Sequence, residues 1–216
     1  MTRIVCLADT HNLHKRVDVP AGDVVVFAGD MSSSGTSVEV RHFFDWLYEL
    51  PHPHKVVIAG NHDWIFERNP AAGKLAAQLY ARAPSITYLD DSGATIAGLK
   101  FWGSPVQWRF NDWAFNRERG ADLQRHWDMI PADTEVLVTH APPKGILDQV
   151  TGQGSLGCEN LRATINGLKR LRLSVFGHLH KDGGKKKIMR SGKIFVNAAI
   201  CTDDYVPSRR PVVVDL

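Results

Sequence analysis

Cysteine is scarce in this chain. Cys6, Cys158 and Cys201 are odd in number, and no two have the spacing of a metal-ligand pair. That argues against a disulfide scaffold and against a thiolate metal site, and it fits a reducing compartment. Cys6 sits inside an apolar run and reads as a small buried hydrophobe. Net charge is also small. With 26 Lys and Arg against 23 Asp and Glu the balance is +3, too little to suggest specific nucleic-acid binding or an acidic membrane surface. The basic spots at 169–172, 185–187 and 209–210 read as solvated faces. No apolar stretch is long enough to span a bilayer. The first apolar run is broken at once by Asp9, so no secretory leader is expected. Internal repeats and low-complexity tracts are absent too. These absences leave a cytoplasmic protein with no membrane partner as the expectation, and they leave its oligomeric state open.

What remains is an ordinary globular composition, 44% apolar and 23% charged over 216 residues. That length carries a substantial core and reads as one domain over 1–216. Apolar runs of strand length occur at 4–8, 24–28, 55–59, 86–89, 95–97, 99–103, 135–138, 173–176 and 211–215. Helices are expected at 37–50, 71–82, 121–129 and 158–168. The first of these has an apolar stripe of Val38, Phe43, Trp46, Leu47 and Leu50, and Pro51 ends it. A hairpin is expected from 187–190 and 193–197 around Ser191-Gly192. The aromatic stretch 102–115 and the glycine-containing stretch 146–157 read as loops. Strands alternating with helices, then short strands, indicate layered α/β structure.

Five of the strand-like runs end in the same kind of chemistry. They run into Asp9 and His11, Asp30, Asn61 and His62, His140, and His178 and His180. Open α/β sheets bind ligands just beyond the carboxyl ends of their strands, so these residues are expected to converge on one rim. Asp9 and His11 are two apart, as are His178 and His180, and an extended chain points such pairs the same way. At Gly60 the backbone can turn sharply, and an amide, an imidazole and a carboxylate follow in a row. Carboxylate, imidazole and amide without thiolate suit Mn, Fe, Zn, Co or Ni. Seven such ligands exceed the needs of one ion. Two ions sharing a bridging carboxylate use them better, and an ion pair about 3.5–4 Å apart is the usual clamp for displacement at phosphorus. Singly, each residue is weak evidence, since Asp9, Asp30 and Asn61 are all common turn residues. His14, His42, His52, His54 and His126 read as packed or exposed histidines.

Asp9-Thr10-His11, Gly29-Asp30, Gly60-Asn61-His62-Asp63, Thr139-His140 and Gly177-His178-Leu179-His180 together resemble the full motif set of the calcineurin-like metallophosphoesterases. The likeness spans nearly the whole chain. It implies a four-layer α/β/β/α fold with two mixed sheets. One departure is the stretch 31–35, which lacks a second acidic residue that many members carry at a non-ligand position. Trp102-Gly103-Ser104-Pro105, Trp113-Ala114-Phe115-Asn116, His140-Ala141-Pro142-Pro143, Gly157-Cys158-Glu159 and Asn197-Ala198-Ala199 further resemble the brain-type (239-type) metallophosphoesterase-domain subgroup. That subgroup is grouped with the class III cyclic nucleotide phosphodiesterases.

The resemblance implies two divalent ions, manganese first. Asp9, His11, Asp30 and His180 would hold one. Asp30, Asn61, His140 and His178 would hold the other, with Asp30 bridging. His178 is kept where some relatives lose it. Asn61 and His62 would meet the substrate phosphate, His62 would protonate the leaving oxygen, and Asp63 would orient His62. A metal-bridging hydroxide would be the nucleophile. The implied substrate is a small phosphodiester, cyclic nucleotides leading. The alternatives are a phosphomonoesterase acting on proteins or nucleotides, and a non-catalytic scaffold on the same fold. Trp108, Phe110 and Trp113 either stack on a nucleobase or pack as a loop core. Arg109 either reaches a phosphate or lies on the surface. Asp148 and Cys158-Glu159 lie after His140 and are candidates for shaping the pocket.

Overall fold

Alternation decides which side of each strand is buried in which core. In β1 (Arg3–Leu7), Ile4 and Cys6 face one way and Val5 and Leu7 the other. The same split separates Val24 and Val26 from Val25 and Phe27 in β2 (Val24–Ala28), and Val56 and Ile58 from Val57 in β3 (His54–Ile58). These strands form a sheet with β4 (Ile86–Tyr88) and β15 (Val212–Asp215) in the order β15-β1-β2-β3-β4. Only β15 runs antiparallel to its neighbour. The computed structural model describes residues 1–72, 75, 76 and 86–216. Most of the helix expected over 71–82 therefore lies outside the described residues.

The second sheet contains β5 (Ser92–Ile96), β6 (Leu99–Ser104), β9 (Val136–Thr139), β12 (Leu173–Phe176), β13 (Lys185–Ile188) and β14 (Ile194–Asn197). Its order is β13-β14-β12-β9-β6-β5. The four inner strands are parallel and both edges antiparallel. One face of each sheet meets the other. Ile4, Cys6, Val24, Val26, Val56 and Ile58 pack with Phe101, Val136, Val138, Leu173, Val175 and Val196.

Helices cover the two outer faces. On the first sheet lies α1 (Ser37–Glu49), through Val40, Phe43, Phe44 and Leu47. Thr36 and Glu39 close its first turn in a reciprocal cap. On the second sheet lie α3 (Ala121–Trp127) and α4 (Glu159–Gly167), through Leu123, Trp127, Leu161 and Ile165. The result is the expected four-layer arrangement with two mixed sheets.

Local differences have physical causes. A short helix, α2 (Trp64–Arg68), follows Asp63. The aromatic stretch holds a two-residue strand, β7 (Gln107–Trp108), paired with β8 (Asn116–Arg117), and the loop after His140 holds the small hairpin β10 (Gln149–Val150) and β11 (Gly154–Ser155). Segments this short are set by tertiary contacts rather than by periodicity. The last hairpin starts two residues earlier than expected, because Lys185 pairs with Asn197 and draws the lysine triplet into an edge strand. The parallel strands β1, β2, β3, β9 and β12 all present their carboxyl ends to one rim, where the polar residues lie.

Candidate metal centre

The chain bends sharply where these strands end. Asp9, His11, Asp30 and His178 all have left-handed backbone, with φ of 53°, 41°, 58° and 65°. Asp and His are among the few side chains that enter this region readily. Each bend turns a polar side chain off the end of an apolar strand and into the rim.

Two glycines let the strand ends close in. A Cβ on Gly60 would run into Asp30 and lie 2.6 Å from the His140 ring, and one on Gly177 would run into the Asp9 carboxylate. Gly177→Ala is expected to displace Asp9 and cost about 1–3 kcal/mol, the usual range for overpacking. Thermal unfolding against the wild type checks this.

Each carboxylate is pinned by backbone. The His178 amide donates to both Asp9 oxygens at 3.0 Å, and the His62 amide donates to Asp30 Oδ1 at 2.8 Å. Two imidazoles are fixed at Nδ1 by main-chain carbonyls: His140 by Ala28 (2.9 Å) and His180 by Thr202 (2.9 Å). That leaves Nε2 of each aimed into the centre. His140 Nε2 lies 3.4 Å from Asp30 Oδ2, and His180 Nε2 lies 3.4 Å from both Asp9 Oδ1 and His11 Nε2. Asn61 Oδ1 sits 2.9 Å from His140 Nε2 and 2.8 Å from His178 Nδ1.

The donors gather into groups whose atoms lie within 4.8 Å of one another: Asp9, His11 and His180; Asp30, His140 and His178; and His11, Asp30 and His62. Asp30 and His11 recur in more than one group. This set fits divalent ions. Ligand bonds of about 2.0–2.2 Å at right angles put neighbouring donors about 3 Å apart, and the separations around Asn61, His140 and His178 are of that size.

Electrostatics divides the imidazoles. Burial pushes His11 down to about 4 and His178 down to about 3, so both are neutral at pH 7. Burial works against a charged His140 as well, but Asp30 outweighs it and lifts the ring to about 9. His180 is raised by Asp9 in the same way. Burial also opposes the charges of Asp9 and Asp30, yet the surrounding imidazoles hold both carboxyls below their usual range.

His62 stands beside the donors, with Nε2 4.0 Å from Asp30 Oδ2. Its Nδ1 pairs with the Ser33 carbonyl at 2.8 Å, and Trp113 packs on its face at 4.2 Å between centroids. Here the structure corrects one expectation. The group that orients His62 is a carbonyl, not Asp63. The Asp63 carboxylate turns inward and accepts from the Gly60, Met31 and Ser32 amides and the Ser32 hydroxyl. It therefore clamps the two loops that carry Asp30 and His62. Burial, and then the Asp30 charge, push it up to about 6. The loop that supplies Ser33 is itself tied to Glu39, which accepts from Ser33, Ser34 and Asn12.

A cavity of about 420 Å³ opens over the donors. Trp108, Phe110, Trp113 and Tyr205 line it, with Gln149, Gln153 and Lys181. Within the aromatic stretch Trp108 is buried, while Phe110 is half exposed at the cavity wall. Arg109 is on the surface, paired with Glu118. Asp148 braces the loop bearing the two glutamines by accepting from Gly145, Ser155 and Gly157, and Cys158 caps α4. The spare histidines pack or pair elsewhere, His14 against Phe43 and Trp46, and His126 against Asp91. Sequence reasoning missed Tyr205, the Ser33 carbonyl and the two glutamines.

The profile of the calcineurin-like phosphoesterases matches residues 2–182, which takes in every donor above. The chain belongs to the calcineurin-like phosphoesterase family. That family's chemistry is metal-dependent hydrolysis of phosphoesters, so a calcineurin-like phosphoesterase is expected to hold divalent ions in these groups. Metallophosphoesterase domain-containing protein 1 of Homo sapiens is 38% identical over all of this chain and 71% of its own length. UPF0046 protein K07C11.7 of Caenorhabditis elegans is 34% identical over 98% of this chain and 74% of its own. Among solved structures, TT1561 of Thermus thermophilus superposes with a TM-score of 0.62 at 12% identity, over 91% of this chain and 88% of that one. That likeness speaks to the calcineurin-like fold alone. Among the described residues of this phosphoesterase no helix is long and apolar enough to cross a membrane.

Proposed function

We propose that this phosphoesterase hydrolyses small phosphodiesters at a two-ion centre whose shared ligand is Asp30. The observation that carries this reading is the position of Asp30, within ligand distance of both donor clusters. One ion would take Asp9, His11, Asp30 and His180, and the other Asp30, Asn61, His140 and His178. Manganese is our first choice, with Fe, Zn, Co and Ni accepted by the same donor set. When bound, the ions supply Lewis acidity and an activated water near neutral pH.

The chain's own residues do the rest. Asn61 and His62 meet the substrate phosphate. The Ser33 carbonyl and the Trp113 face hold the His62 ring so that a proton on Nε2 is presented to the leaving oxygen. Asp63 keeps the two loops in register from below. The cavity wall favours a diester over a monoester. Among the described lining residues there is one lysine, Lys181, and no arginine, against four aromatic rings. A monoester dianion calls for more cations, whereas a diester monoanion with flat groups fits aromatic walls. Cyclic nucleotides are the leading candidates. The three cysteines are free and buried, which suits a reducing compartment, and we assign the protein to the cytoplasm. Residues 1–216 would act as one domain, since the two sheets share a core.

The test is hydrolysis of bis(p-nitrophenyl) phosphate against p-nitrophenyl phosphate, after EDTA and then with added manganese. Metal-dependent preference for the diester is the expected result. Preference for the monoester would point to a phosphomonoesterase, and inactivity on both with metal bound would point to a scaffold.

A pH dependence follows from the geometry at His140. Both ring nitrogens face oxygens, the Ala28 carbonyl on one side and Asn61 and Asp30 on the other, so without an ion the ring is an imidazolium with a pKa of about 9. An imidazole that ligates a metal must be neutral. Loading below pH 9 should therefore release this proton, and apparent affinity should rise about tenfold per pH unit between pH 7 and 9. Calorimetry of manganese binding in buffers of different ionisation enthalpy would show the released proton.

A further inference from the structure

One aromatic ring over the site comes from outside every motif. Tyr205 lies in the turn that follows the buried run 198–201. Its ring centroid is 4.7 Å from His11, 5.6 Å from His180 and 6.2 Å from His62, near-perpendicular to all three. Yet 48% of the residue is exposed, on the wall of the cavity. Its backbone is left-handed, with φ of 57°, a conformation that is uncommon and costly for an aromatic L residue.

The turn is built to hold it there. The Tyr205 amide donates to the Thr202 carbonyl at 2.9 Å, the Thr202 amide donates to the Val206 carbonyl at 2.9 Å, and Cys201 and Pro207 bridge the base. The Thr202 carbonyl also accepts from His180 Nδ1. One carbonyl thus orients a metal-facing imidazole and fixes the position of the tyrosine. A ring held in a strained backbone, half in solvent above the donors, contributes little to a core. Observed strain of this kind is a pointer to function.

The geometry points to Tyr205 as a specificity-determining residue that stacks on a flat aromatic ester group of the substrate, making the site selective for phosphodiesters that carry one. This rests on the phosphodiesterase reading above and adds the chemical class of the ester group. Aromatic stacking of this kind is worth about tenfold in affinity.

The experiment compares binding of phenylphosphonate and methylphosphonate to the manganese-loaded protein by calorimetry, for the wild type, Tyr205→Phe and Tyr205→Gly. Glycine suits the positive φ, so the turn is kept. Bound manganese is measured in each. The wild type and Tyr205→Phe should bind the phenyl ligand about tenfold more tightly than the methyl ligand, and Tyr205→Gly should lose that preference with its manganese intact. A preference that survives in Tyr205→Gly, an equal loss for both ligands, or a loss of manganese would overturn the inference. Because the readout is binding, it is separate from turnover. A wild type that discriminates between the ligands yet hydrolyses no diester would count against the hydrolase reading and leave the role of Tyr205 standing.

Discussion

Asp30→Ala is expected to abolish turnover, with a fall in kcat/KM on the order of 10⁴-fold, the scale seen when a central catalytic group is removed. Asp30 Oδ2 lies 3.4 Å from His140 Nε2 and 3.9 Å from His11 Nε2, so with Asp30 as the proposed shared ligand its loss would take a ligand from both ions at once. Metal analysis of the desalted variant should show both ions depleted. Asp9→Ala should differ. Asp9 faces His180 and belongs to the first donor group alone, so the ion at Asn61, His140 and His178 should remain. Selective loss of one ion from Asp30→Ala would contradict the bridging role. The variant also loses the carboxylate that faces His140 and accepts from the His62 amide, so its circular dichroism spectrum is recorded beside the metal count to separate loss of ions from loss of fold.

His62→Ala should show the opposite pattern, with metal retained and rate lost. Its Nδ1 is bonded to Ser33, and in the proposed assignment neither ion takes its Nε2. A positioned acid contributes about 10²–10⁴-fold, so kcat should fall within that range. The size should depend on the leaving group. An aryl ester needs little help from a proton, whereas an alkyl ester needs much, so the deficit should be larger for the alkyl ester. An equal deficit on both, or loss of an ion, would make His62 a ligand or a structural group.

Much of this site was legible in the sequence because its donors sit at the ends of apolar runs. The pattern of strand followed by Asp, Asn or His repeats five times, and each repeat marks the place where a buried strand gives way to chemistry. The layers were legible for the same reason, since Val24–Ala28 is a continuous apolar strand and Leu173–Phe176 is apolar but for the buried Ser174, the kind of strand that parallel sheets bury on both faces. What was not legible depends on main-chain atoms or on tertiary pairing. Nothing in the residue types reveals that a Ser33 carbonyl, and not Asp63, orients His62. The edge strand Lys185–Ile188 is exposed throughout, so it carries no apolar alternation and exists only through its register with Ile194–Asn197. Tyr205 lies 25 positions beyond His180 in the chain; Asp203 and Asp204 mark a turn there, but nothing in the residue types marks the tyrosine as its left-handed residue. Cys158 follows His140 in the chain, yet its side chain caps α4, and Glu159 pairs with Arg119 and Lys144.

The most direct test of the two-ion account is a titration of manganese into the metal-free protein. It should be followed by electron paramagnetic resonance and by turnover of bis(p-nitrophenyl) phosphate in the same samples. The account predicts uptake of two ions per chain, a spin-coupled signal from a close pair, and turnover that follows the paired species. Uptake of a single ion with full activity, or two ions with no magnetic coupling, would contradict a centre bridged by Asp30.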